Sequence, residues 1–256
     1  MQDQRLALPR AALVTGAGRR IGRTLALELA AAGFDLALHC RNSRDEAEGV
    51  AREVEALGRR AVVLPADLAR ESETEGLLPR AQQALGPLGV LVNNAAAFER
   101  DEWDSADRPN WDLHMEVNLR APFVLSQAFA RALPAEAGGL IVNLLDQRVW
   151  NLTPHFVSYT VSKTGLWTLT RTLALALAPR IRVNGLGPGP TLVAPKQSEE
   201  QFRRQVEALP LRRQAELEEF QAAIRFLLDA PSVTGQMIAL DGGQHLAWSH
   251  RTTDLS

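Results

Sequence analysis

Thr15-Gly16-Ala17-Gly18-Arg19-Arg20-Ile21-Gly22 joins an apolar run, Ala11–Thr15, to a helical stripe of Ile21, Leu25, Leu29 and Ala32 that stops at Gly33. Glycine is needed where a backbone turns sharply and where it must approach a pyrophosphate closely. The helix that follows then offers unpaired N–H groups and the positive end of its dipole to the anion. A strand–turn–helix of this kind within the first 25 residues predicts a dinucleotide-binding turn at the start of a parallel sheet, with Gly16, Arg19, Arg20 and Ile21 against the cofactor.

Further strands are expected at Asp35–His39, Ala61–Pro65, Val90–Asn93, Gly139–Leu145, Ile181–Gly185 and Met237–Leu240. All are near-continuously apolar, as strands covered on both faces should be. Helical patterns lie between them, over Arg44–Leu57, Ser72–Leu85, Asn110–Leu133, Ser158–Ala178 and Glu216–Leu228. Alternation repeated this often implies right-handed crossovers and helices on both faces. No linker or repeat divides the chain. The expectation is one Rossmann-type α/β domain over residues 1–256, a doubly wound parallel sheet of about seven strands. A stretch over about 187–211, beginning Gly187-Pro188-Gly189-Pro190, reads as an irregular substrate loop or lid, with a plain surface insertion as the alternative.

Composition narrows the class. The 256 residues are 46% hydrophobic and carry 28 basic and 30 acidic side chains, with no basic excess for nucleic acid. A lone cysteine, Cys40, excludes an internal disulfide framework and suits a reducing compartment. Five histidines form no metal-binding motif, so no metal is expected. Neither the amino-terminal MQDQRLALPR nor the short apolar run Leu173–Ala178 reads as a signal peptide or membrane span, and a cytoplasmic protein is expected.

After the second strand stands His39-Cys40-Arg41-Asn42-Ser43-Arg44, with no carboxylate until Asp45. An acid there would bond the ribose hydroxyls of NAD and repel a 2′-phosphate. Arg41, Ser43 and Arg44, with Arg19 nearby, can hold that phosphate, which favours NADP; otherwise these arginines are a solvated face.

Tyr159 is the only tyrosine, and Lys163 follows it one helical turn later, placing ammonium and phenol on one face. Together with the glycine turn, Asn93-Asn94-Ala95, Asn118, Pro188-Gly189 and Asp241-Gly242-Gly243, this pair resembles the short-chain dehydrogenase/reductase family from about Ala11 to Gly243. The resemblance implies that Tyr159, Lys163 and Asn118 are catalytic. It also places His39, Asn42, Asp67, Leu68, Asn94, Ala95, Pro188, Gly189 and Thr191 on the cofactor, with Lys163 on its ribose. Asn118, unfavourable in mid-helix, would bend its helix and hold a relay water.

Two departures are informative. Arg20 replaces a turn glycine, and Asp146 stands where the family carries a catalytic serine. A hydroxyl can donate to a carbonyl oxygen, whereas an ionised carboxylate only accepts. Both departures, with Asn94-Ala95-Ala96-Ala97-Phe98, are similar to the pteridine reductases and dihydromonapterin reductases. That likeness implies a catalytic Asp146-Tyr159-Lys163 set in which Asp146 relays a proton through water, and a pterin stacked on Phe98, touched by Arg20, Asp146 and Tyr159, with NADPH as hydride source. Ala96 stands where such enzymes often have a substrate-contacting serine. The family also implies a homotetramer through the helices Asn110–Leu133 and Ser158–Ala178, and Trp248 is a candidate interface residue. Three functions stay open: a dihydropterin reductase, a reductase of another small carbonyl or imine compound, and a non-catalytic NADP-binding sensor.

Overall fold

The computed structural model describes residues 6–193 and 197–247; Trp248 and the first five residues lie outside them. Seven parallel strands form one sheet: β1 (Ala11–Val14), β2 (Asp35–Cys40), β3 (Ala61–Pro65), β4 (Val90–Asn93), β5 (Gly139–Leu144), β6 (Ile181–Pro188) and β7 (Met237–Leu240). Their spatial order is β3-β2-β1-β4-β5-β6-β7. Strand β6 runs three residues further than its apolar pattern suggests, because Gly187 and Pro188 pair with Ala239 and Leu240 of β7.

The helices are α1 (Arg20–Ala31), α2 (Arg44–Ala56), α3 (Glu71–Glu75), α4 (Leu77–Leu85), α5 (Arg108–Met115), α6 (Ala121–Ala132), α7 (Val157–Ala176), α8 (Glu199–Glu207) and α9 (Leu217–Asp229). Successive strand side chains point to opposite faces. Ala12 and Val14 therefore join the core under α1, α2 and α9, while Ala11 and Leu13 join the core under α4, α6 and α7.

Three expectations need correction. The helix expected over Ser72–Leu85 is two helices, joined at Gly76. The helix expected over Asn110–Leu133 is interrupted by a π-turn, Glu116–Arg120, that contains Asn118. The stretch expected to be irregular holds a helix, α8, whose Ser198 and Gln201 form a reciprocal capping box.

The direction in which successive strands are added reverses between β1 and β4, since β2 lies outside one and β5 outside the other. Ligands of open α/β sheets bind in the crevice that such a switch point leaves at the carboxyl ends of the strands.

Candidate active site

The glycine turn is fixed from below. Thr15 Oγ1 accepts from the backbone N–H groups of Asn94 (2.9 Å) and Ala95 (3.0 Å). The Asn94 amide donates to the carbonyls of Thr15 and Gly16 at 2.8 and 3.1 Å. Gly16 has φ +64°, and a methyl group on Gly22 would lie 2.1 Å from the Gly16 carbonyl oxygen. Glycine is thus demanded once by conformation and once by close approach. His39, buried, accepts from Gly16 N–H through Nδ1 (3.1 Å) and pairs with the Ala66 carbonyl through Nε2 (3.0 Å). Both ring nitrogens bond the scaffold, so His39 supports the turn, and it also lines the crevice beside it.

The start of α1 has no side-chain cap and no acid in its first turn. Its N–H groups open on a crevice of about 700 Å³ lined by Gly16, Arg41, Asn42, Ser43, Asp67 and Leu68, among others. An uncapped helix start above a glycine cradle fits a pyrophosphate. The cations are less available than their number suggests. Arg19 is paired with Glu46, and Arg44 with Glu48 at 2.8 Å. Arg41 makes no ion pair among the described residues and lines the crevice. The charge expected from Arg19 and Arg44 is offset by these carboxylates.

Beyond the turn, β5 delivers Asp146 and α7 delivers Tyr159 and Lys163. The Tyr159 hydroxyl donates to Asp146 Oδ2 at 2.9 Å. Asp146 Oδ1 accepts from the Arg148 backbone N–H at 2.8 Å, closing a single 3₁₀ turn over Gln147–Val149. Burial and the Asp146 carboxylate push the Tyr159 phenol well above its ordinary range. Lys163, also buried, donates to the Leu144 carbonyl at 2.6 Å, with its ammonium 5.9 Å from the Tyr159 ring centre. Desolvation lowers its pKa to about 8. Asn118 accepts from Ala97 N–H (2.8 Å) and donates to the Ala97 carbonyl and Ser162 Oγ, both at 3.0 Å. Its side-chain amide is committed to protein and anchors the segment after β4 that carries Phe98.

Phe98 is 43% exposed and lies at the junction of the crevice with a second cavity of about 540 Å³. Its ring stacks on Phe156 (4.7 Å, 8°) and meets Tyr159 edge-on at 4.7 Å. The Arg148 guanidinium lies 5.1–5.8 Å from these three ring centres. Sequence reasoning missed Arg148 and Phe156, and also Gln201, Phe202 and Gln205 of α8, which wall the second cavity. The only local signal was Arg148 standing two residues after Asp146.

Pro188, Gly189 and Thr191, expected on the cofactor, line this second cavity, and Thr191 Oγ1 donates to the Gly189 carbonyl at 3.1 Å. A methyl group on Gly189 would meet Asp241 Cα at 2.6 Å, which explains why Gly189 and Asp241-Gly242-Gly243 occur together. Arg20, at φ +51°, donates to the carbonyls of Val193 (2.9 Å) and Leu192 (3.0 Å). It thereby ties the turn to the loop. A non-glycine residue held in that region costs about 1–2 kcal/mol, a strain typical of functional turns.

Comparison with known proteins agrees with this geometry. A family model described as short chain dehydrogenase matches residues 10–204. The FolM alternative dihydrofolate reductase 1 of Brucella canis, crystallised with NADP, is 48% identical, with a TM-score of 0.90 over 98% of this chain and 100% of its own. A Burkholderia cenocepacia short chain dehydrogenase, also in complex with NADP, is 34% identical, with a TM-score of 0.87 over 95% of this chain and 100% of its own. The 3-oxoacyl-[acyl-carrier-protein] reductase FabG of Staphylococcus epidermidis is 31% identical over 93% of this chain and 99% of its own. With its sheet order, glycine turn and Tyr159/Lys163 pair in place, the chain belongs to the short chain dehydrogenase family.

Proposed function

We propose that the protein is an NADPH-dependent reductase of a dihydropterin-type substrate. The observation that carries this is the bond from the Tyr159 hydroxyl to Asp146, beside the aromatic wall of Phe98 at the mouth of the cofactor crevice. The likeness to the Brucella alternative dihydrofolate reductase supports it.

NADPH rests on the α1 start and the Gly16–Gly22 turn, with Arg41 and Ser43 at its 2′-phosphate, Asp67 and Leu68 at its adenine, and Lys163 at its ribose. Bound there, the nicotinamide supplies a hydride to the carbon of a ring C=N bond. The adjacent nitrogen then needs a proton. Tyr159, beside Phe98 and bonded to Asp146, is assigned as the donor by its position at the site. Asp146, at the cavity wall, orients that hydroxyl and returns a proton to it from solvent. A flat pterin ring stacked on Phe98 gains about 0.5–1.5 kcal/mol beyond its area burial. Arg20 fixes the loop that closes over it. The homotetramer implied by the family would use α5, α6 and α7, which sedimentation of the purified protein tests.

The likeness to FabG favours a second reading, reduction of a small carbonyl compound with the same cofactor and Tyr159. NADPH oxidation with 7,8-dihydropterins, dihydrofolate and simple carbonyls offered in parallel decides between them. Turnover confined to pterins, abolished by Tyr159→Phe and strongly reduced by Asp146→Ala, is the expected result. Carbonyl turnover indifferent to Asp146→Ala would establish the second reading. NADPH binding without turnover of any acceptor would leave a sensor.

A further inference from the structure

The family places at position 146 a serine whose hydroxyl donates to the substrate. Asp146 in this chain is surrounded by donors instead: its carboxylate accepts from the Tyr159 hydroxyl, the Arg148 backbone N–H and, at 3.5 Å, Arg148 Nη1. A carboxylate used this way has no proton to offer a substrate acceptor. Yet a reduced C=N or C=O bond builds negative charge on its heteroatom, and that charge needs a donor besides the one that transfers the proton.

The guanidinium of Arg148 is the group placed to supply it. It is two residues from Asp146, its side chain is only 17% exposed, and it lines the cavity that holds Phe98 and Phe156. Three aromatic rings lie with their centres 5.1–5.8 Å from it, while its single hydrogen bond among the described residues goes to Asp146. The remaining donors of its planar fork have no protein acceptor among the described residues. A guanidinium only 17% exposed, beside three rings and so incompletely bonded, is preorganised for an acceptor that the protein itself does not provide.

We propose that Arg148 is a catalytic, substrate-contacting residue that takes over the donor role lost with the family serine. It selects substrates whose reduced bond ends in a carbonyl oxygen or an unprotonated ring nitrogen. The inference rests on the reductase reading above and deepens it. Donation from Arg148 and proton transfer from Tyr159 are separate events: the guanidinium keeps its protons throughout, and the one proton that moves comes from the phenol.

The test is steady-state kinetics of Arg148→Met, Arg148→Lys and Arg148→Ala, on whichever acceptor the wild-type protein reduces best. NADPH affinity is followed separately by fluorescence. Arg148→Met keeps an apolar stem on the rings and should lower kcat/KM by about 100-fold, the usual effect of removing one such donor. NADPH affinity should stay within about twofold, and Arg148→Lys, with a point charge in place of the fork, should recover only part of the loss. Added guanidinium at tens of millimolar should restore Arg148→Ala several-fold, which a merely structural role would not allow. Activity of Arg148→Met within about threefold of wild type, or loss of NADPH binding in step with activity, would overturn the inference. A wild-type protein that reduces carbonyls and no pterin defeats the pterin reading alone, and the Arg148 comparison is then made on the carbonyl. One that reduces nothing defeats both.

Discussion

Ser158 is the residue before Tyr159, and it is fully buried in a polar chain that spans three segments of the fold. Glu99 N–H donates to His114 Nε2 at 3.1 Å. This leaves Nδ1 carrying the proton, which it donates to Ser158 Oγ at 2.7 Å. Ser158 Oγ donates in turn to Asp101 Oδ2, a carboxylate 3% exposed that also accepts from the Asn110 amide at 3.2 Å. The chain ties the segment after Phe98 to the first turn of α7, beside the proposed proton donor. In Ser158→Ala the charge-assisted bond to Asp101 is lost, and His114 Nδ1–H is stranded in a buried site. A bond to a charged group contributes about 1.5–3 kcal/mol and a stranded buried donor costs about 1–3, so the net loss should be about 2–4 kcal/mol if the backbone N–H of Ser158 and Asn110 still serve Asp101. At about 2–4 °C per kcal/mol for a chain of this size, Tm should fall by ~5–15 °C. Thermal unfolding followed by far-UV circular dichroism reads this directly, and a double-mutant cycle with Asp101→Asn should show coupling above about 1 kcal/mol. A Ser158→Ala protein melting within 2 °C of wild type, or an additive cycle, would refute the bonded chain.

Three further predictions bear on the cofactor crevice. Gly22→Ala forces a methyl group against the Gly16 carbonyl and the Asn94 amide, so NADPH Kd should rise at least tenfold by titration. Arg41→Ala removes the unpaired cation, and the preference for NADPH over NADH should shrink about 10–100-fold in kcat/KM, the worth of one charge-assisted bond. Lys163 has a pKa lowered to about 8, so in the cofactor-free protein its ammonium is present below that pH and lost as pH rises through it. NADPH affinity should therefore weaken as pH rises past about 8, and Lys163→Met should weaken binding at neutral pH and abolish this limb; equal affinity at pH 7 and pH 9 would count against a ribose contact.

Where a feature depends on residues close in sequence, or on a pattern repeated along one element, it could be read from the chain. The near-continuous apolar runs predicted every strand, because a strand covered on both faces cannot alternate. The four-residue spacing of Tyr159 and Lys163 placed both on one face of α7. Even α8 had a local signature, the capping box of Ser198 and Gln201, overlooked because the helix buries no residue fully and so shows little apolar stripe. The misreadings involve partners far apart. Arg19 looks like a phosphate ligand until Glu46, 27 residues away, pairs with it. The side-chain amide of Asn118 bonds Ala97 and Ser162, 21 and 44 residues away, which its own position does not show. Phe156 gives no sign of importance until its left-handed backbone, at φ 57°, brings its ring onto Phe98. Asp146 shows both sides at once. Its residue type alone says that it accepts, and the structure surrounds it with donors. What type and spacing could not say is where the missing donor had gone, since Arg148 is an ordinary surface residue until Phe98, from the segment after β4, and Phe156 and Tyr159, from the start of α7, gather around it. The chemistry of this site is therefore a product of the tertiary fold more than of its motif: Tyr159 and Lys163 mark the place, and contacts at long range decide what they can do there.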